Sequence, residues 1–323
     1  MSIRIQRSKH NPIVRPGMDD RLQANINGPS LMQVPEWIEN PLGRYYLYFA
    51  HHQGTFIRMA YADDLLGPYT VYSPGVLDLG ETSFTRHIAS PDVHINYRTK
   101  KIIMFYHGSG FTVPKPASVV GQNTCYAESD DGLNFVTDHV CLGTSYLRIF
   151  EWNNWYYGFG GGGDRSLWRT KNYRQPFTHG PQLTIDGEDY SEVSDNRIEK
   201  KEVPDNLIYR MRHPALHLRE HQLDIYYSNV GDIPERIKRT TIDLRQDWAQ
   251  WVGSPPEEIL RTATDYEGVD LAEEPSRGGS SHVCRHQVRD PYLYTEDEQR
   301  YLIYSVAGES GLGIAELVEE SRA

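Results

Sequence analysis

The sequence predicts an all-β chain folded as a five-bladed β-propeller, and three observations predict it. The 323 residues include 22 Tyr, 6 Trp, 27 Gly and 19 Pro, a supply of strand-forming aromatics and of turns. Long amphipathic helical periodicity is nearly absent. An apolar, aromatic strand recurs five times, as RYYLYFA, KIIMFYHG, WYYGFGG, LDIYYSN and RYLIYSV, at a spacing of roughly fifty to seventy residues. One antiparallel unit repeated at such a period is the mark of a propeller.

The elements follow in order. Residues 1–24 are polar except for a short strand candidate at 3–5. NINGP then opens a strand over 30–34, followed by strands at 44–50, 56–62 and 69–72. The second repeat opens on a hairpin. Apolar and polar residues roughly alternate over 88–97, Arg98-Thr99-Lys100 makes the turn, and 101–106 is a short apolar run; strands at 124–128 and 135–136 complete it. The third repeat reads as 145–152, 155–160 and 166–170, the fourth as 215–218, 223–228 and 238–243, the fifth as 291–295, 300–306 and 313–318. The fifth repeat lacks a fourth strand. Residues 3–5 are expected to supply it and close the ring, giving one domain over 1–323. The charged, aperiodic stretch 186–206 reads as a long loop, a solvated insertion or a substrate lid.

Composition excludes some functions. The net charge is −11, with no basic tail or Lys/Arg run, so nucleic acid is not an expected partner. No segment has the length and apolarity of a signal peptide or a bilayer span, which gives a cytoplasmic expectation with no membrane partner. Three cysteines without a CxxC fit a reducing compartment.

The hairpin of the second repeat organises the chemistry. Its strands are antiparallel, so His87, before the first, and His107, at the end of the second, meet at one mouth. Imidazole suits proton transfer near neutrality; a pair of hydrogen-bonded structural histidines is the plainer reading. The same end of the other repeats gathers Asn25, Asn27, His51 and His52; Tyr146, Arg148, the Gly160–Gly163 run and Arg165; Arg212 and His213; and His286, Arg289, Asp290 and Glu309. A face collecting Arg and His suits an anionic ligand. Each member also has a structural reading: Asp92 and Asp290 beside prolines as turn caps, Arg289 in a blade-to-blade ion pair, Arg58 as a third-strand structural residue. The glycine run lacks the Lys-Ser/Thr of a phosphate loop. His51-His52 lacks the companion spacing of a zinc site. No cofactor is demanded; carboxylates, carbonyls and water would suffice for a Ca²⁺ in the central channel.

The openings NGPSL, ASPDV, RHPAL and RDPYL, each followed by an aromatic strand, resemble the five-bladed glycosidase superfamily of arabinanases, xylosidases and invertases. This implies a glycosidase with paired carboxylates. The chain departs from that pattern where it has Gly28 and Arg212-His213, leaving Asp92, Asp290 and Glu309 as substitutes. The segments NPIVRPGMDDR, NINGPSL, YYLYFAHHQGTFIRMAYADDLLGPY and HIASPDVHINY with IIMFYHG resemble the propeller polysaccharide lyases, closest to the rhamnose–glucuronate lyases of polysaccharide lyase family 42. That resemblance covers about a third of the chain and implies that His87 and His107 are acid and base.

A uronate lyase removes the C5 proton and expels the group on O4. It needs a proton acceptor and a cationic clamp on the carboxylate. His87 and His107 are the expected catalytic pair. Arg148, Arg165, Arg212 and Arg289 are expected to neutralise the carboxylate. Asn27, His51, His52, Arg58, Tyr146, His213 and Glu309 are expected sugar contacts. The expected partner is an acidic oligosaccharide or polysaccharide. A glycosidase is the enzymatic alternative, and a propeller that only binds acidic glycans the non-enzymatic one.

Overall fold

The computed structural model describes residues 2–119, 121–160, 165–188 and 210–320. Five antiparallel sheets form the five expected blades. Blade 1 runs Asn27–Gln33, Tyr45–Ala50, Phe56–Ala62, Thr70–Asp78. Blade 2 runs His87–Asn96, Lys101–Ser109 and Asn123–Ser129, whose outer edge pairs with Val136–Thr137 and Gly143–Thr144. Blade 3 runs Leu147–Trp152, Trp155–Gly160, Ser166–Thr170, Thr178–Gln182. Blade 4 runs Arg210–Arg219, Gln222–Val230, Ile237–Asp243, Glu257–Leu260. Blade 5 runs Arg289–Glu296, Gln299–Ser305, Leu312–Glu320 and takes Ser2–Arg7 as its outer strand.

The aromatic second strands carry apolar runs because both their faces are buried, as expected for a sheet covered on each side. Along Tyr45–Ala50 the alternation splits the residues between two cores. Tyr46 and Tyr48 pack toward blade 2, with Ile88, Met104 and Tyr106. Tyr45, Leu47 and Phe49 pack toward blade 5, with Ile303, Leu312 and Ile314. Three more clusters fill the junctions of blades 2 and 3, 3 and 4, and 4 and 5. The sequence reading missed the outer strands Thr178–Gln182, which is mostly exposed, and Glu257–Leu260, whose two buried residues Ile259 and Leu260 are too few to show an apolar period. Most of the anticipated loop, residues 189–209, lies outside the described residues, as do Gly161–Gly163 and Asp164.

Closure is by the N-terminal strand, in register from Ser2↔Glu320 to Arg7↔Ala315. Ile3 and Ile5 pack against the core between blades 4 and 5. Arg7 Nε donates to the wholly buried Glu267 at 2.8 Å, and Arg7 Nη2 to the Arg261 carbonyl at 2.6 Å. Tyr304 and the Ala263 amide donate to the same carboxylate. Removing one partner of a buried ion pair strands the other. Arg7→Ala should therefore cost about 3 kcal/mol of stability, and deleting the first seven residues should cost more, because it bares a sheet edge. Calorimetry that finds an unchanged melting temperature for both would contradict this closure.

Candidate active site

Each inner strand has a residue in the left-handed region at or near its start: Gly28 (φ 60), Ser90 (φ 49), Tyr146 (φ 56), His213 (φ 47) and Asp290 (φ 50). In blades 1, 2, 4 and 5 this residue and the proline after it slip out of the strand register, between Asn27 and Ser30, Ala89 and Asp92, Arg212 and Ala215, and Arg289 and Tyr292. A positive φ is uncommon for a residue with a side chain, and four of these five have one. The bulges re-aim these residues, as bulges at sheet ends do.

The five residues touch one another in blade order. A Cβ added at Gly28 would stand 3.0 Å from Ser90 Oγ and 3.1 Å from Ser90 Cα, so a side chain there would crowd Ser90. Ser90 lies beside the Tyr146 phenol. Tyr146 stacks on His213, with centroids 4.5 Å apart and planes at 22°. His213 Nδ1 lies against the Asp290 carboxylate, whose other oxygen accepts from Ser305 Oγ at 3.0 Å. The opposite face of Tyr146 meets His107, with centroids 3.9 Å apart. His87 stands edge-on to His107 at 6.0 Å, and its Nδ1 bonds Ser109 Oγ at 2.9 Å. His87, His107, Tyr146, His213 and Asp290 thus form one row.

The electrostatics of the row follow from burial. Desolvation lowers the pKa of His107 and His213 well below the ordinary value, and that of His87 less strongly, with nearby cationic groups adding to it. Burial pushes the Tyr146 phenol up to about 12. His87, His107, Tyr146 and His213 are therefore uncharged at neutrality. His107 Nδ1 is buried with no hydrogen-bond partner among the described residues.

The arginines are engaged elsewhere, contrary to their expected role as an open clamp. Arg212 forms a fork on Glu235, at 2.8 and 2.7 Å, and Ser228 donates to the same carboxylate. Arg289 Nη1 bonds Glu309 at 3.1 Å, and its Nε lies 3.6 Å from Glu235. Arg148 ties blades 2 and 4 together through the Pro91 and Pro214 carbonyls, at 2.7 and 3.1 Å. Arg165 bonds the Leu183 carbonyl, and Arg58 the Asn25 carbonyl. These two positions suit fold-holding better than sugar contact.

Glu309 is fully buried, and Asn25, Asn27, the Ser281 amide and Arg289 all donate to it. His52 Nδ1 lies 3.5 Å away. Burial opposes the charge, but the His52 and Arg289 contacts outweigh it and hold Glu309 below the usual carboxylate range. Glu309 is thus a fixed anion that positions Asn27 and His52. Asp92 sits deeper, within the inner strand of blade 2, where it accepts from the Ile149 amide at 3.1 Å and meets Arg148 and His94; it is not a turn cap. His51 Nδ1 accepts from the Gln53 amide, and burial lowers its pKa to about 4. His286 is spent on the Leu271 carbonyl. No group of three or more His, Cys, Asp or Glu among the described residues is arranged to hold a metal ion. Sequence reasoning missed Ser90 and Glu235. The repeated X-Pro opening was a usable signal for Ser90; nothing in DIPERIK marked Glu235.

Buried neutral histidines give a pH signature. His107 and His213 titrate below 6.5 in the fold and return to that value on unfolding. Their contribution is therefore complete above pH 6.5 and is lost as the pH falls, because only the unfolded chain takes up the protons. The loss is about 1.4 kcal/mol per pH unit for each histidine. Glu235 and Glu309, depressed below 4.5, add a further loss only under pH 4.5. Urea unfolding at pH 7.5 and 5.5 should show this drop, and His107→Gln should reduce it. Equal stability at the two pH values would contradict the assignment.

Comparison with known proteins places the chain. No protein-family model matches it. A glycosyl hydrolase from Bacteroides ovatus superposes with a TM-score of 0.65 at 12% identity, over 100% of this chain and 96% of that one. A structure from the GH130 family of mannoside phosphorylases, which contains glycoside hydrolases that target β-1,2 mannosidic linkages in Candida mannan, gives 0.66 at 10% identity, over 100% and 96%. The GH43_1 enzyme from Xanthomonas citri complexed with xylose gives 0.56 at 14% identity, over 96% and 90%. At such identities the likeness is one of fold. The Uncharacterized protein R118 of Acanthamoeba polyphaga mimivirus is 32% identical over 321 residues, 91% of this chain and 83% of that protein. That identity over that length means that the chain belongs to the same family as the mimivirus protein R118.

Proposed function

We propose that the protein is a carbohydrate-active enzyme that cleaves a glycosidic bond at the row of ring residues, and that it does so as a glycosidase. Asp290 carries the reading. It is the one carboxylate among the five ring residues, and His213 lies against it. A carboxylate beside Nδ1 favours the tautomer protonated there and leaves Nε2 as the basic nitrogen. That pair is suited to taking a proton from an attacking water. Tyr146, kept protonated by burial and stacked on His213, offers an O–H to the sugar or the leaving oxygen. Further support comes from the fold shared with proteins described as glycoside hydrolases.

One observation favours a second reading, β-elimination at C4 of a uronic acid such as rhamnose-capped glucuronate. His107 and His213, stacked on either face of Tyr146, are uncharged imidazoles able to accept a proton. The weight against it is the clamp: Arg212 and Arg289 are neutralised by Glu235 and Glu309.

Incubation with a panel of neutral and uronate-containing glycans tests both. The expected result is new reducing ends with no rise in ultraviolet absorbance. Asp290→Asn should lower turnover by about two to four orders of magnitude, the range for lost acid–base catalysis. Rising absorbance from an unsaturated uronate would decide for elimination. Binding without any new ends would leave a glycan-binding propeller.

A further inference from the structure

A cavity of about 190 Å³ adjoins the row, between the segment 275–285 and the inner strand of blade 5. Arg277, Ser281, His282, Arg285, Gln287 and Arg289 line it, and no Asp or Glu does. In a chain of net charge −11 this is an unusual lining.

The three arginines are not equivalent. Arg289 is committed to Glu309 and Gln287. Arg285 bonds Glu274 at 2.8 Å on the surface, where solvent screens the pair. The exposed Arg277 side chain makes no hydrogen bond or ion pair among the described residues. Its backbone, by contrast, is held: the buried Arg212 donates to the carbonyls of Arg277 and Gly279, at 3.2 and 3.5 Å. The Ser281 amide bonds Glu309 at 3.3 Å. The segment is therefore pinned to the same Arg–Glu cluster that borders the row, while one guanidinium is left uncommitted at the cavity. A forked donor with no carboxylate partner, beside neutral Ser and Gln groups, is suited to an oxyanion.

We propose that this cavity binds an oxyanion, either the carboxylate of an acidic sugar or free inorganic phosphate, next to the bond-cleaving row. The inference rests on the glycosidic reading only for what the anion accompanies; the binding itself does not. Arg289 immediately precedes Asp290, so an anion held here would lie one residue from the ring.

Isothermal titration of the full chain at pH 7 with inorganic phosphate, glucuronate and glucose tests this. At least one of the two anions should bind saturably and glucose should not. Arg277→Ala should weaken that binding about tenfold or more, as loss of a charge-assisted contact does; Arg277→Lys should restore part of it. Only the main chain of Arg277 serves the fold, so the melting temperatures of both variants should match that of the parent. Phosphate binding without glucuronate binding identifies free phosphate as the ligand. Glucuronate binding that phosphate displaces identifies the sugar carboxylate. Absence of anion binding, equal binding of glucose, or anion binding indifferent to Arg277→Ala would overturn the inference. Anion binding without turnover of any glycan would count against the glycosidase alone; turnover of neutral glycans without anion binding would count against this site alone.

Discussion

The candidate site depends on one backbone constraint, the left-handed turn at or near the start of every inner strand. Four of the five residues that adopt it have side chains, and such conformations cost roughly 1–3 kcal/mol each. The interblade cores hold the strands on either side of each turn, so the turns cannot relax without unpacking a blade. What they provide is direction. Ser90, Tyr146, His213 and Asp290 come from four separate sheets, yet they meet in order because the same turn aims each of them. Strain concentrated at one end of the ring is a reason to look for chemistry there.

A second constraint is charge. The buried cluster of Arg212, Arg289, Glu235 and Glu309 is neutral as a whole. Buried ions persist when they are paired and hydrogen-bonded, and each member here is both. The face that gathers basic residues in the sequence is therefore much less cationic in space. The histidines stay uncharged for the same reason, since a buried imidazole beside guanidinium groups has little to gain from a proton.

The fold was largely legible in the sequence. The second strands announced themselves because burial on both faces favours apolar runs, and a three-stranded last repeat pointed to Ile3 and Ile5. The meeting of His87 and His107 followed from antiparallel pairing, now seen as Ala89 opposite His107 and His87 opposite Ser109. Pairing partners were not legible. Glu235 lies 23 positions after Arg212 in a polar stretch, and only the folded ring brings the two together. The outer strands escaped notice because an outermost strand in a propeller has one solvated side and needs no apolar pattern. The repeated X-Pro openings carried more than was read from them, since they mark the residues that turn toward the axis.

The seam that shuts the ring has a consequence for how the chain is made. Arg4 and Glu320, which pair across it, are 316 positions apart. During synthesis the strand Ser2–Arg7 leaves the ribosome with no sheet to join, and the Glu320 that pairs with Arg4 follows 316 positions later. Blades 1 to 4 can stack in the order in which they emerge, but the fifth stays open until translation has passed Glu320. A nascent or truncated chain would thus expose both an unpaired strand and the uncovered edge it should occupy, the surface that chaperones hold and proteases find.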